Sequence, residues 1–113
     1  MSWERLTVVG HIGSAEAKQS KQTPGQWFTQ ISVAADRQAS NGTVNTIWYR
    51  VLVMCSSEEK ARAALARYKP GRLVLANGKP FNDIRRRKDT GEPYIDSGML
   101  ADGWPELLDR KPN

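Results

Sequence analysis

The sequence has one cysteine and one histidine among 113 residues. Because Cys55 is alone, no intramolecular disulfide can form, which favours a reducing, cytoplasmic setting. A single histidine and a single cysteine leave a tetrahedral zinc site without ligands, and the carboxylates show no spacing typical of a two-metal site. The sequence also has no nucleophile paired with a base and no phosphate-binding glycine loop. We therefore expect no enzyme activity, no metal and no cofactor.

Long apolar runs are missing as well. The longest, "VLVMC" and "LVLA", are far shorter than the roughly 20 residues that cross a bilayer. No charged leader followed by an apolar stretch is visible at the start. We expect no membrane insertion and a cytoplasmic location.

Positive charge exceeds negative charge. Seventeen Lys and Arg against twelve Asp and Glu give a net charge of +5, which favours a polyanionic partner, although a solvated basic surface would also explain it. A chain of this length forms one domain with a modest core.

Several stretches alternate with the two-residue period of a β-strand. They are residues 4–13, 27–35, 45–54, 71–80 and a last strand opened by Tyr94. Residues 14–26 are predicted to be a polar connection, Asn41-Gly42 a hairpin tip, and residues 89–91 the turn of a long final hairpin.

One helix is predicted within residues 56–71. Ser56 followed by Glu59 is typical of a capping box, and Pro70-Gly71 ends the pattern. A narrow apolar stripe at helical spacing comprises Ala61, Ala64, Leu65 and Tyr68, of which Tyr68 is interpreted as a core aromatic.

Three strands, a helix and a final hairpin are the order of an OB-fold, a mainly β, five-stranded Greek-key barrel with a helix between strands three and four. We assign residues 1–103 to this domain and residues 104–113 to a short C-terminal tail. Whether Trp104 and Leu107 pack back onto the barrel is left open by the pattern.

The third strand, "NTIWYRVLVM", carries unusual residues on one face. Trp48, Arg50, Leu52 and Met54 point to one side, opposite Ile47, Tyr49, Val51 and Val53. The first set is too apolar and too cationic for an ordinary wet surface, so it requires either a second protein layer or a ligand that favours both stacking and positive charge. Nucleic acid is a ligand that favours both stacking and positive charge.

Five segments together resemble the bacterial single-stranded-DNA-binding proteins over residues 5–100. They are "LTVVGHIG", "ISVAADR", "WYRVLVM", "YKPGRLVLANGK" and "RRRKDTGEPY". The resemblance implies an OB-fold that binds and protects single-stranded DNA without sequence preference in replication, recombination or repair. It also implies a nucleoid-associated protein of a bacterial cell, assembled as a homotetramer or, as second choice, a homodimer.

The resemblance places a base-stacking tryptophan at Trp48 and an arginine contact at Arg50. Met54 falls at a position that is often phenylalanine in that family, and two further family tryptophans fall near Ala39 and Arg85, neither of which is aromatic. The aromatics that could substitute are Trp27, Phe28, Phe81 and Tyr94. Strand alternation allows only one of Trp27 and Phe28 to face the ligand and favours Phe28, although a bulge would reverse the choice.

Basic residues are expected to supply a phosphate track. They are Lys79, Arg85, Arg86, Arg87 and Lys88 of the final hairpin, together with Arg37, Arg50 and Arg72. Binding through phosphates is nonspecific and salt dependent. A hairpin that is basic only for solubility is the alternative.

One further departure from the family concerns the C-terminal end of the sequence. The sequence stops at "LLDRKPN" without the family's acidic tip, so recruitment of repair enzymes by that tip is not expected, as in a phage, plasmid or mobile-element version.

Strand one, as a barrel edge, could pair with a second copy. The resemblance places Tyr49 near subunit contacts, and a position in the core is the alternative. The alternatives are a dimeric OB-fold primosome or replication-restart accessory protein acting mainly through protein contacts, and an OB module used for protein contacts alone.

Overall fold

The computed structural model describes residues 4–109. Its strands are β1 (Leu6–Gln19), β2 (Trp27–Gln38), β3 (Val44–Cys55), β4 (Leu73–Arg86), β5 (Pro93–Ala101) and β6 (Glu106–Leu107). A helix, α1 (Glu58–Ala63), and a 3-10 turn (Ala64–Ala66) lie between β3 and β4. Over this part of the chain, no helix has the length and apolar character needed to cross a membrane.

Five strands close into a ring. The hydrogen-bonded order is β1, β2, β3, β5, β4, and β4 pairs in turn with β1. Neighbouring strands are antiparallel except for β3 and β5, which pair in parallel at residues 50–52 and 98–100. This arrangement, with the helix between β3 and β4, confirms the predicted mainly β OB-fold.

Strand β1 is longer than the sequence pattern predicts. The pattern ends the strand at Gly13, but the structure continues it to Gln19, pairing residues 14–19 with residues 27–32 of β2. A register shift between Ile12 and Ser14 marks a β-bulge at Gly13. The prediction of a polar connection over residues 14–26 is therefore wrong for residues 14–19, because the bulge shifts the alternation by one residue, whereas residues 20–26 do connect β1 to β2.

The barrel interior follows the alternation of the strands. Val8, Ile12, Ile31, Val33, Val51, Val53, Val74, Ala76 and Met99 are buried there. At one end, Ala61, Ala64 and Tyr68 of the helical segment complete the core. The hydroxyl of buried Thr29 donates to the Ala61 carbonyl at 3.0 Å, which ties β2 to α1.

The helix begins one residue later than expected. Ser57, not Ser56, is its N-cap, and the Ser57 hydroxyl accepts from the Lys60 backbone N–H at 3.2 Å. With this cap, Lys60 occupies the position where a capping box requires Glu or Gln, so the predicted box does not form. The expected burial of Tyr68 is confirmed.

Glycines occupy the two predicted hairpin turns. Gly42 has a φ of 85° and Gly91 a φ of 73°, the left-handed region that favours glycine. The Thr43 N–H donates to the Asn41 side chain at 3.0 Å in the first turn, and the Thr90 N–H donates to Asp89 at 2.9 Å in the second.

Residues 104–109 pack against the barrel. The Trp104 ring stacks on Tyr68 at 5.8 Å between centroids, and the Tyr68 hydroxyl donates to the Pro105 carbonyl at 2.7 Å. Residues 106–107 then pair with Val74 and Leu75 of β4. The structure thereby answers the question left open for Trp104 and Leu107. The expectation about the acidic tip rests partly on residues 110–113, which lie outside the described residues.

An ion pair fastens the end of this segment. Arg72 Nε lies 2.9 Å from Asp109 Oδ1. The hydrogen bond from Arg72 holds the pKa of Asp109 below its usual value, and burial raises the pKa of Tyr68.

Replacing Tyr68 with phenylalanine should lower the free energy of unfolding by about 1 to 3 kcal/mol, because the buried Pro105 carbonyl loses its donor. Chemical denaturation measures the change. The control is Tyr49→Phe, which removes an exposed hydroxyl that accepts a hydrogen bond of 3.4 Å from Arg37. For this variant we expect the free energy of unfolding to fall by less than about 0.5 kcal/mol. Equal effects of the two variants would contradict the anchoring role of Tyr68.

Candidate nucleic-acid interface

One outer surface of the barrel collects most of the aromatic candidates. It is formed by alternate residues of four adjacent strands, and we call it the β3 face. Its members are Phe28 and Gln30 of β2, Trp48, Arg50, Leu52 and Met54 of β3, Asp96, Gly98 and Leu100 of β5, and Lys79, Phe81, Asp83 and Arg85 of β4. The alternation of β3 thus places its buried valines inside and Trp48 and Arg50 outside, as the pattern predicted.

The Trp48 ring extends across the outside of the sheet. On β2 its neighbour is the small residue Ala34, and a Cβ added to Gly13 of β1 would lie 2.4 and 2.6 Å from two atoms of the Trp48 ring. The ring therefore reaches across β2 and occupies the space that a side chain at Gly13 would fill. Because 55% of Trp48 is exposed, its ring remains available for stacking with a base.

A second glycine provides the space for Phe81. A Cβ at Gly98 would lie 2.5 Å from the Phe81 ring, so the ring lies over the β5 backbone. The guanidinium carbon of Arg50 lies 5.3 Å from the Phe81 centroid, within range of a cation–π contact. Phe81 is thus on the same surface as Trp48.

Phe28 and Trp27 point to opposite sides of β2. Phe28 pairs with Met54 on the β3 face. It also lines a cavity of about 370 Å³ together with Lys18, Lys21 and Arg50. Trp27 has core parity and lies near α1, where the Arg62 guanidinium is 5.7 Å from its ring centroid. Phe28 is therefore the one of the two that lies on the β3 face.

The two arginines of the β3 face, Arg50 and Arg85, are paired with carboxylates. Asp96 Oδ2 lies 2.7 Å from Arg50 Nη2 and 2.7 Å from Arg85 Nε. Asp83 lies farther off, at 3.8 Å from Arg50 and 4.0 Å from Arg85. Sequence reasoning missed both carboxylates, although strand alternation after Phe81 could have placed Asp83 on this face. Within residues 4–109, no three His, Cys, Asp or Glu side chains cluster so that they could hold a metal ion.

The final hairpin extends the surface at one side. Tyr94 pairs with Arg85, and the Arg87 guanidinium lies 5.4 Å from the Tyr94 ring centroid. Together with Arg86 and Lys88 these residues line an open cavity of about 590 Å³. Arg86 donates to the Gly91 carbonyl at 3.1 Å, which braces the turn.

Two of the predicted basic residues lie elsewhere. Arg37 donates to the Tyr49 hydroxyl at 3.4 Å, on the opposite side of β2 from Trp48. Arg72 pairs with Asp109 in the C-terminal segment. Lys79 does lie on the β3 face, opposite Leu100.

Scans against protein-family models and curated protein sequences find no match. Solved structures do match. A small single-stranded-DNA-binding protein of Streptomyces coelicolor has a TM-score of 0.64 at 15% identity, covering 95% of each chain. The mitochondrial single-stranded-DNA-binding protein Rim1 of Saccharomyces cerevisiae has a TM-score of 0.58 at 23% identity, covering 98% of this chain and 100% of that one.

A third match is the single-stranded-DNA-binding protein of Plasmodium falciparum, whose structure was solved with single-stranded DNA. Its TM-score is 0.66 at 16% identity, covering 96% of this chain and 97% of that one. The chain therefore has the OB-fold of the single-stranded-DNA-binding proteins, in agreement with the resemblance of its sequence segments.

A methyl group at Gly13 should displace the Trp48 ring, because the two would overlap. In Gly13→Ala we expect acrylamide to quench the fluorescence of Trp48 more strongly than in the original protein. The contribution of Trp48 is obtained by subtracting the spectrum of a Trp48→Phe variant, made once in the original protein and once in Gly13→Ala. The matched control is Gly103→Ala, since nothing lies within 4 Å of the added carbon there. Unchanged quenching in Gly13→Ala would show that the ring does not lie over Gly13.

Proposed function

We propose that the protein binds and protects single-stranded DNA without sequence preference, and that it acts by binding rather than by catalysis. The observation that carries this proposal is the exposed ring of Trp48, which extends across the outside of β2 as far as Gly13. A base can stack on such a ring whatever its identity, because every base has a π-face.

The surroundings of Trp48 support the same ligand. Phe28, Met54 and Phe81 lie on the same face and offer further apolar area to unstacked bases. Tyr94 continues the surface along the hairpin. Proteins with this fold include one from Plasmodium falciparum that was solved in complex with single-stranded DNA. We infer a path across the β3 face that several nucleotides occupy.

Phosphate contacts would come from the borders of the face. On one side, Lys18 near the end of β1 and Lys21 in the β1–β2 loop are exposed, and on the other the hairpin carries Arg86, Arg87 and Lys88. Such contacts bind the backbone without reading sequence and release counterions. We therefore propose nonspecific, salt-dependent binding.

We also propose self-association, as a homotetramer or, failing that, a homodimer. Residues 6–10 of β1 pair with β4 on one edge only, because the pairing with β2 begins at His11 within the described chain. Val9 in this stretch is 48% exposed. A free strand edge of this kind can pair with a second copy, and the mass in solution distinguishes the two assemblies.

The cellular role that fits this activity is the protection of single strands during replication, recombination or repair. We propose that it takes place in the cytoplasm of a bacterial cell, where the lone thiol of Cys55 stays reduced.

Replacing Trp48 with alanine should weaken binding to every single-stranded oligonucleotide by a similar factor. A lost stacking surface contributes about 1 to 3 kcal/mol, which corresponds to roughly a 5- to 150-fold rise in Kd. Fluorescence anisotropy of labelled oligo(dT) and of a mixed-sequence strand measures the change.

The matched control is Trp104→Ala, which removes a tryptophan of comparable exposure that stacks on Tyr68 away from the β3 face. Both variants are compared at a temperature at which both are folded. A Kd unchanged in Trp48→Ala, or changed equally in the two variants, would contradict the stacking role of Trp48.

A further inference from the structure

Two carboxylates lie in the middle of a surface that we propose to bind a polyanion. Asp83 of β4 and Asp96 of β5 are directly opposite each other. Like charges at such a cross-strand position destabilise a sheet. The pair is tolerated here because the guanidinium groups of Arg50 and Arg85 contact both carboxylates.

Asp96 is the centre of this cluster. A single oxygen, Oδ2, lies 2.7 Å from both guanidinium groups, whereas the Asp83 contacts are 3.8 and 4.0 Å long. The two positive and two negative charges cancel. The centre of the β3 face is therefore close to neutral, although the whole chain carries a net charge of +5.

Arg50 has little freedom to leave this arrangement. Its side chain is only 23% exposed and lies over Phe81. Its buried Nε has no hydrogen-bond partner among the described residues. A phosphate that binds Arg50 must displace Asp96 or approach its negative charge closely, which opposes binding.

We propose that Asp96, assisted by Asp83, excludes phosphates from the centre of the β3 face, an inference that rests on the proposed function. The strand then lies with its bases toward Trp48 and Phe81 and its phosphates along the basic borders. Asp96 is a positioning residue, since it acts by holding Arg50 and Arg85. The consequence is that these two arginines contribute less to salt-dependent binding than their charges suggest.

The test is the salt dependence of Kd for oligo(dT) in Asp96→Asn. Removing the carboxylate leaves two guanidinium groups able to bind phosphate, so affinity should rise. The slope of log K against log salt concentration should steepen by about 0.7 for each new phosphate contact, or by about 1.4 if both arginines engage. A change of fold alone would not steepen this slope.

Asp83→Asn is the second variant. Asp83 is more exposed, at 56% of its side chain, and its contacts are longer, so its removal should leave the fold intact and steepen the slope by at most about 0.7. If Asp96→Asn does not fold, the salt dependence of Kd is measured on Asp83→Asn instead. The control is Asp102→Asn, which makes the same change of net charge at an Arg5–Asp102 ion pair outside the β3 face. Its slope should match that of the original protein.

The outcomes separate the two proposals. If the unaltered protein fails to bind oligo(dT) at low salt, the proposed function is wrong and this inference falls with it. If the unaltered protein binds but the folded Asp variants show an unchanged slope or weaker binding, the inference alone is overturned. A steeper slope in Asp102→Asn as well would show that net charge, not the position of Asp96, is responsible.

Discussion

Closure of the barrel by β1 is the constraint on which both the fold and the candidate site depend. This strand pairs with β4 through residues 6–11 and with β2 through residues 11–19, so it must turn from one partner to the other. The bulge at Gly13 accompanies that turn. Because Gly13 has no side chain, the Trp48 ring can occupy its position on the outside of the barrel, so one residue serves both closure and the placement of Trp48.

The electrostatics of the β3 face differ from those of a simple basic groove. Its arginines are held in place by carboxylates, while the exposed lysines and the hairpin arginines surround it. Stacking and charge are therefore largely separated in space, with aromatic rings in the middle of the face and exposed basic side chains at its borders. Such a division suits a ligand whose bases stack on aromatic rings and whose backbone is anionic.

Local pattern was sufficient for much of this architecture. Alternation in β3 identified which residues face outward, and the same parity placed Phe28 rather than Trp27 beside Met54. The order of strands and helix identified the OB-fold. These features depend on neighbours in sequence, for which period and turn residues are direct signals.

The features that the sequence did not predict depend on contacts between distant segments or on a shift of a single residue. The bulge at Gly13 disguised the second half of β1, and a serine pair made the helix cap ambiguous by one position. No local pattern places Asp96 against Arg50, or Trp104 against Tyr68, because each pair joins elements that meet only in the closed barrel. The pairing of Arg72 with Asp109 is missed for the same reason.

The most direct test of the account is a tryptophan-fluorescence titration of the intact protein with oligo(dT) and with duplex DNA of equal length, at two salt concentrations. We expect strong quenching by the single strand, a weak response to the duplex, and a lower affinity at the higher salt concentration. Equal responses to single strand and duplex, or no response to the single strand at low salt, would contradict the central claim that the β3 face stacks unpaired bases.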